Sequence, residues 1–389
     1  MKMAPEHIPV ITFSHMLRWI LVACLWAGFS LRAEEIPART AEGFTVPQPN
    51  PTFTFPRDHG AHPDYKIEWW YLTGHLYTAG PESRRFGFQA TFFRSASPLE
   101  TASRPAPAAF GHDQIYLAHM ALIDARTGRF LHQERLNRAG WDAAADTATL
   151  DVRNGDWALR FLQPGQETML LTGGIRGEAR FSLNLVPKKP LVRFGAGGYS
   201  RKGAAPTAAS YYLTFPRLAA TGQLTLAGEA FPVTGEAWMD HEYSSSQLDQ
   251  NQVGWDWLSA QLKDGRELMF YRLRTRSGGT DPASTLTWID REGRAVTAPY
   301  RWEPLTYWTS PRTGARYPQR IRLVTTDPAS GREVVFTVVP LHPDQELGGS
   351  LGGVTYWEGA CRLLAEDESE VGSAYLELTG YDRALEVLR

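Results

Sequence analysis

The chain has 389 residues, of which 43% are hydrophobic and 21% are charged, and it contains 13 Trp, 15 Tyr and 18 Phe. A chain of this length is long enough for two hydrophobic cores, and its composition argues against both a disordered protein and a one-core domain. The formal net charge of -2 provides no basic surface, so neither nucleic acid nor an anionic membrane surface is predicted as a partner.

The N-terminal segment is typical of a secretory signal peptide. Arg18 supplies a positive charge, residues 19–31 form an apolar run, and Ala33 is a small residue before a polar stretch. We therefore predict a signal peptide over residues 1–33, with cleavage after Ala33. Translation starts either at Met1 or at Met16. The mature protein is expected to be periplasmic or secreted.

Two alternatives remain open for this segment. Residues 21–24, LVAC, resemble a lipobox and would place a lipid on Cys24, although apolar sequence continues beyond that cysteine. An uncleaved N-terminal anchor is the other alternative, and membrane contact is predicted only through this segment. Cleavage after Ala33 removes Cys24 and leaves Cys361 alone, so no intrachain disulfide is expected.

The remainder of the chain is divided by turn signals into short strand-like runs. Asp264-Gly265 and Thr127-Gly128 are two of these signals. Residues 180–185, RFSLNL, alternate polar and apolar side chains with the period of two of a half-buried strand. No long segment has helical periodicity of similar quality. The pattern predicts an all-β fold of barrels or sandwiches.

An internal repeat indicates two similar domains. Residues 69–76, WWYLTGHL, align with residues 255–262, WDWLSAQL, and each copy leads to an apolar strand that ends in arginine. The domains should meet within residues 223–247, and we place them at 34–234 and 235–389. In each copy, alternate residues present aromatic, hydroxyl and amide or imidazole groups on one strand face. That face either lines a barrel lumen or packs at a barrel end or between the domains.

Several strings distributed over nearly the whole mature chain resemble the AttH-like family, which includes the carotenoid 1,2-hydratases. They are FPRDHGAHP at 55–63, EWWYLTG at 68–74, YLAH at 116–119, GEAWMDHE at 235–242, GWDW at 254–257, YWEG at 356–359 and ELTGY at 377–381.

The resemblance implies two tandem lipocalin-like antiparallel β-barrels and, in many bacterial members, export and a gene beside an ABC-type exporter. Members of this family include hydratases and cyclases that act on unsaturated, apolar substrates. We therefore expect the chain to bind a large apolar ligand, which is a lipid, an isoprenoid or a polyene, as a carrier associated with an ABC-type exporter. The alternative is a hydratase or isomerase that protonates an alkene and adds water.

The candidate catalytic residues lie near the second tryptophan-rich strand. Asp240 and His241 are predicted to form an acid–base pair, and Asp256 lies between two tryptophans. The resemblance adds Tyr271 as the later tyrosine of the hydratase site, but Leu273 stands where the family places a carboxylate. The alternative is that the acidic residues cap backbone amides and that His241 is a structural histidine.

The candidate ligand-binding residues are mainly aromatic, since tryptophan and tyrosine faces can hold an unsaturated ligand and stabilise a developing cation. A loop with two histidines at residues 58–62 lacks a second ligand pair at a recognisable spacing, so neither a metal nor a cofactor is predicted. The predicted ligand-binding residues are Glu68, Trp69, Tyr71, His119, Tyr243, Trp255, Trp257 and Trp357.

Overall fold

The computed structural model describes residues 35–96, 114–349, 351 and 353–385. The predicted signal peptide, its cleavage site and Cys24 lie outside these residues. Helix is limited in the described part of the chain to a 3-10 turn, Arg57–His59, and no helix there has the length and hydropathy needed to cross a membrane.

The first thirteen strands of the described residues belong to one antiparallel sheet. They are β1 (Ile67–Thr78), β2 (Arg85–Ala96), β3 (Gln114–Asp124), β4 (Arg129–Arg138), β5 (Ala143–Ala145), β6 (Asp151–Asn154), β7 (Trp157–Phe161), β8 (Met169–Ile175), β9 (Ala179–Pro187), β10 (Val192–Arg193), β11 (Tyr199–Arg201), β12 (Ala209–Leu226) and β13 (Glu229–Ser246). The spatial order is β4-β3-β2-β1-β13-β12-β9-β8-β7-β6-β5, and β10 and β11 both pair with β12. The first strand therefore pairs with the last.

The second half of the chain repeats this arrangement. Its strands are β14 (Gln252–Leu262), β15 (Glu267–Thr275), β16 (Thr285–Ile289), β17 (Ala295–Ala298), β18 (Tyr300–Pro304), β19 (Tyr307–Thr309), β20 (Arg316–Pro318), β21 (Ile321–Thr326), β22 (Glu333–Pro340), β23 (Glu346–Leu347), β24 (Tyr356–Leu364) and β25 (Glu370–Thr379). The order is β17-β16-β15-β14-β25-β24-β22-β21-β18, with β23 on β24 and a separate β19-β20 hairpin. Both large sheets curl into nearly closed barrels, which confirms the predicted all-β fold of two tandem lipocalin-like barrels.

The two tryptophan-rich strands occupy equivalent places in the two sheets. β1 lies between its hairpin partner β2 and the last strand of the first sheet, β13. β14 lies in the same way between β15 and the last strand of the second sheet, β25. The repeat found in the sequence thus corresponds to the strand that closes each barrel.

Each barrel is filled by one face of its strands. Phe181, Leu183 and Leu185 of β9 are almost completely buried in the first core, whereas the residues between them are exposed. The alternation predicted for this segment is therefore present. Burial of a side chain of this size contributes about 1.5–3 kcal/mol. The second core is built in the same way around Leu258, Leu376 and their neighbours.

The change from one sheet to the next lies after β13. This strand spans Glu229–Ser246, and it pairs along its length with β1 and β12. The predicted domain boundary at 234/235 falls inside it, while the first strand of the second sheet begins at Gln252. The strand pairing keeps β13 in the first barrel.

Candidate functional site

The two tryptophan-rich strands face each other across the junction of the barrels. The rings of Tyr71 on β1 and Trp257 on β14 form a T-shaped contact at a centroid distance of 5.0 Å. His75 Nε2 donates a hydrogen bond of 2.9 Å to the carbonyl oxygen of Ala374 on β25. Trp70 and Leu72, the alternate residues of β1, point instead into the first core. The aromatic face thus packs between the domains and does not line a lumen.

Close approach of the strands depends on a glycine of the family motif. A Cβ atom at Gly74 would lie 2.5 Å from the carbonyl oxygen of Glu236 and 2.7 Å from a ring carbon of Phe88. Both contacts are far below van der Waals separation, so a larger residue would push β13 away from β1. This explains the glycine that follows the tryptophan run.

A cavity of about 420 Å³ lies at the junction of the barrels. Its volume is within the range of small-molecule sites, which are concave and mostly apolar with a few polar groups. The apolar wall combines aromatic side chains of both tryptophan strands with a phenylalanine of β2 and with aliphatic residues of β1, β3, β4 and the second barrel. The aliphatic and phenylalanine residues that line it are Ile67, Phe93, Ile115, Leu117, Leu136, Leu248, Leu273, Leu351, Val354 and Leu385.

Asp240 is one of the acidic groups of this cavity. Its Oδ2 accepts a hydrogen bond of 2.7 Å from the Tyr212 hydroxyl, and its Oδ1 accepts bonds of 2.5 Å from Thr214 and 2.7 Å from Trp238 Nε1. Trp257 Nε1 donates to the same Tyr212 hydroxyl at 3.0 Å, so the direction of each bond in this chain is fixed. Burial raises the pKa of Asp240 to about 7 despite these donors. The carboxyl can therefore gain or lose a proton near neutral pH.

A buried lysine lies beside Asp240. Lys202 Nζ is 2.8 Å from Glu242 Oε2 and lies 4.6 Å and 4.5 Å from the ring centroids of Tyr212 and Tyr271. Burial acts to lower the pKa of Lys202, but Glu242 and Tyr271 raise it above its ordinary value. The ammonium stays charged and fixes the polar end of the cavity. The predicted residue Tyr271 lines this end, next to Leu273.

A second acidic pair lies on the opposite wall. Glu358 on β24 and Glu377 on β25 are directly opposite each other in the strand register. Burial raises the pKa of Glu377 to about 7, and burial together with the Glu377 charge raises that of Glu358 well above the usual glutamate range. Glu377 Oε2 accepts a hydrogen bond of 2.9 Å from Trp255 Nε1. Neither glutamate was predicted from the sequence to have a role.

Asp240 and His241 do not form the predicted acid–base pair. Consecutive strand residues point to opposite faces, and His241 lies on the side away from the cavity, stacked on Trp70 at 4.9 Å. His241 Nε2 instead binds Glu68 Oε1 at 2.9 Å. Burial lowers the pKa of His241. Its contacts are those of a structural histidine.

Glu68 is the centre of a buried ion cluster. Its carboxylate accepts hydrogen bonds from the backbone N–H and Nδ1 of His62 at 2.8 Å each, and from Arg94 Nε at 2.9 Å. Burial acts to raise the pKa of Glu68, but these partners and His241 hold it well below its ordinary value. Glu68 reaches the cavity wall as a permanently ionised group, so it is unsuited to donate a proton.

The same cluster brings together donor atoms that could hold a metal. Ligand atoms of His62, Glu68 and His241 lie within 4.8 Å of one another. The Arg94 guanidinium already neutralises Glu68 and would repel a cation, and His62 Nε2 is bonded to Asp58 at 3.2 Å. Its chemistry fits a hydrogen-bonded ion cluster better than a metal site.

The remaining predicted residues divide between the cavity and the barrels. His119 lines the cavity, bonded through Nδ1 to the Tyr356 hydroxyl at 2.7 Å, and burial lowers its pKa to about 3 so that it is neutral. Tyr243 stacks on His62 at 3.6 Å, and Trp357 lies in the second core. Asp256 pairs with Arg272 and Arg274 and accepts from Tyr381, away from the cavity. The predicted residues that do line the cavity are Glu68, Trp69, Tyr71, His119, Asp240, Trp255, Trp257 and Tyr271.

Comparison with known proteins agrees with this architecture. The sequence profile of the AttH-like family matches residues 46–381. The crystal structure of an AttH protein from Nitrosomonas europaea is 36% identical, with a TM-score of 0.74 over 86% of this chain and 98% of that one. Kievitone hydratase from Nectria haematococca is 13% identical, with a TM-score of 0.62 over 88% of this chain and 96% of that one, which shows a shared fold. No curated protein matches significantly. The chain belongs to the AttH-like family.

Proposed function

We propose that this protein binds an apolar, unsaturated small molecule, such as a lipid, an isoprenoid or a polyene, in the cavity between its barrels. The observation that carries the proposal is the cavity itself, about 420 Å³ in volume and walled by aliphatic and aromatic side chains of both barrels. Trp69, Trp255 and Trp257 offer flat faces to conjugated double bonds. The barrel interiors are filled by their own side chains, which supports binding at the junction.

A fluorescence titration with cis-parinaric acid, a conjugated polyene fatty acid, tests this binding. We expect the emission of the polyene to rise saturably at one molecule per chain. Leu117→Trp, which fills the cavity, should weaken binding at least about tenfold. Leu162→Trp adds the same ring at an exposed leucine outside the cavity and should bind as wild type does. Equal binding by wild type and Leu117→Trp would contradict the proposal that the ligand binds in this cavity.

Acid catalysis on the bound ligand is the second candidate function. Asp240 and Glu377 both line the cavity, and burial raises the pKa of each to about 7. A carboxyl group that is neutral near physiological pH can protonate a carbon–carbon double bond in a dry pocket. One protein of this fold is a hydratase by name. The protein is therefore a hydratase or isomerase if it converts the bound ligand, and a carrier if it does not.

Oxygen-18 labelling separates enzyme from carrier. Wild type incubated with the linear isoprenoid geranylgeraniol in labelled water should yield an alcohol that is heavier by one labelled water molecule. Asp240→Asn removes one of the two cavity acids whose pKa is about 7 and should lower the yield while polyene binding persists. Binding without any labelled or isomerised product would make the protein a carrier.

Export and transfer of the ligand to an ABC-type exporter complete the proposal. The apolar run at residues 19–31 and the small residue Ala33 support it. The intact mass of protein recovered from the periplasm should correspond to a chain that begins after Ala33. A chain that retains the segment in the membrane fraction would support the uncleaved anchor.

A further inference from the structure

The buried acidic groups of the described residues differ in how their charge is neutralised. Glu68 has Arg94 at 2.9 Å, Glu242 has Lys202 at 2.8 Å, and Glu267 has Lys189 at 2.6 Å. These are ion pairs, as expected for carboxylates removed from water. Two glutamates that line the cavity, Glu358 and Glu377, differ from these. Among the described residues, neither has a lysine or arginine nitrogen within 4 Å.

The strand register brings these two glutamates together. Opposite residues of antiparallel strands have Cβ atoms about 4.5–5.5 Å apart, so the two carboxyl groups are neighbours. Two like charges at this separation away from water cannot both persist, and one proton between them removes the repulsion. The pair is thus built to hold a proton.

The hydrogen bonds distinguish the two members. Trp255 Nε1 can only donate, and it donates to Glu377 at 2.9 Å, which stabilises the charged form of Glu377. Glu358 is 1% exposed, and its Oε1 has no hydrogen-bond partner among the described residues. Glu358 is therefore the member that carries the proton.

The groups that face the pair act against this assignment without reversing it. Asp240 and Glu242 on β13 add negative charge near Glu377, and both act to raise its pKa. The hydroxyls of Tyr71 and Tyr356 face Glu358 and favour its ionised form, but burial and the Glu377 charge outweigh them. The neighbouring Tyr375 is likewise neutral, because burial raises its pKa well above the usual range.

We propose that Glu358 and Glu377 are a proton-sharing pair in which Glu358 donates its proton to a double bond of the bound ligand. This inference rests on the proposed function and names the donor within the same cavity. The O–H bond of Glu358 breaks as a C–H bond forms from the alkene π electrons. Water then forms the C–O bond of the alcohol, and its released proton returns to the pair, so alkene plus water becomes alcohol. Loss of a neighbouring C–H proton to the pair yields the isomer instead.

Infrared spectroscopy of the ligand-free protein, with 13C in the glutamate side-chain carboxyls, tests the pair without a substrate. At about pH 8.5, above the pKa of about 7 of Glu377, wild type should retain the C=O stretch of a protonated glutamate. Glu358→Gln should lose this band. Glu377→Gln should show the C=O band only at lower pH, because Glu358 should then titrate with a midpoint about two pH units below that of wild type. The control Glu303→Gln changes a side chain that is 41% exposed and lies outside the cavity, and it should match wild type.

Turnover of geranylgeraniol in labelled water tests the donor role. Glu358→Gln should lose product formation about 100-fold or more while cis-parinaric acid still binds. Glu377→Gln should remain active at acid pH. The pH at which its activity falls on the alkaline side should be about two units lower than in wild type. No glutamate band in wild type, or an unmoved midpoint in Glu377→Gln, would overturn the pair. Binding without turnover by wild type would overturn donation, whereas absent binding would instead contradict the proposed function.

Discussion

Replacement of Glu68 by glutamine removes the charge at the centre of the buried ion cluster and should destabilise the first barrel. Arg94 is 1% exposed, and Glu68 Oε2, 2.9 Å from its Nε, is its anionic partner. Removing one member of a buried ion pair costs about 3–5 kcal/mol. Arg94 keeps three acceptors, Gln114 Oε1 and the carbonyl oxygens of His62 and Tyr65. We therefore expect the lower end, about 3 kcal/mol.

Urea denaturation followed by tryptophan fluorescence measures this loss in the unfolding free energy of the Glu68→Gln variant. Glu42→Gln is the matched control, since Glu42 pairs with Lys66 at 2.8 Å with its side chain 41% exposed. That surface pair should change stability by no more than about 0.5 kcal/mol. A loss below about 1 kcal/mol for Glu68→Gln would refute the view that this cluster is structural.

Three further predictions concern pH, reactivity and metals. An exposed aspartate titrates near 4, whereas burial raises the pKa of Asp240 to about 7, so its proton binds the folded chain more tightly. As pH rises from about 4 to 7, the unfolding free energy of wild type should therefore fall by about 1.4 kcal/mol per pH unit relative to that of Asp240→Asn. Above about pH 7 the difference should stay constant, and urea titrations at each pH measure it. Cys361 is fully buried and burial raises its pKa, so a thiol reagent such as Ellman's should modify it only after unfolding; rapid modification of folded protein would contradict its placement in the second core. Dialysis against a strong chelator should leave the urea midpoint unchanged, because hydrogen bonds and an arginine already satisfy His62, Glu68 and His241; a lowered midpoint that zinc restores would show a metal there.

The sequence was sufficient for the all-β fold and for the correspondence between the two tryptophan-rich strands. Alternation identifies which residues share a face, so Trp69 and Tyr71 could be grouped correctly. It does not tell which face a barrel encloses, because both faces of β1 are apolar and buried. One face fills the barrel and the other packs against the second barrel, and this choice depends on how the barrels dock.

The candidate site could be predicted only in part. Asp240 and His241 are adjacent in sequence, and the strand geometry of β13 separates them to opposite faces. Glu358 and Glu377 lie more than a dozen residues apart and meet through the pairing of β24 with β25. The available signal was a glutamate within otherwise apolar strand sequence, Trp357-Glu358-Gly359 and Leu376-Glu377-Leu378. Such a residue is costly to bury and therefore indicates a site.

Photo-crosslinking tests most directly whether the ligand lies between the barrels. A polyene fatty acid that carries a diazirine would be bound to the full-length protein, irradiated, and its adducts located by peptide mass spectrometry. We expect adducts on residues of the junction cavity, such as Tyr71, Leu117 and Trp257. Adducts on residues of the first barrel core, such as Leu171 and Leu183, would place the ligand in a lumen and contradict the account.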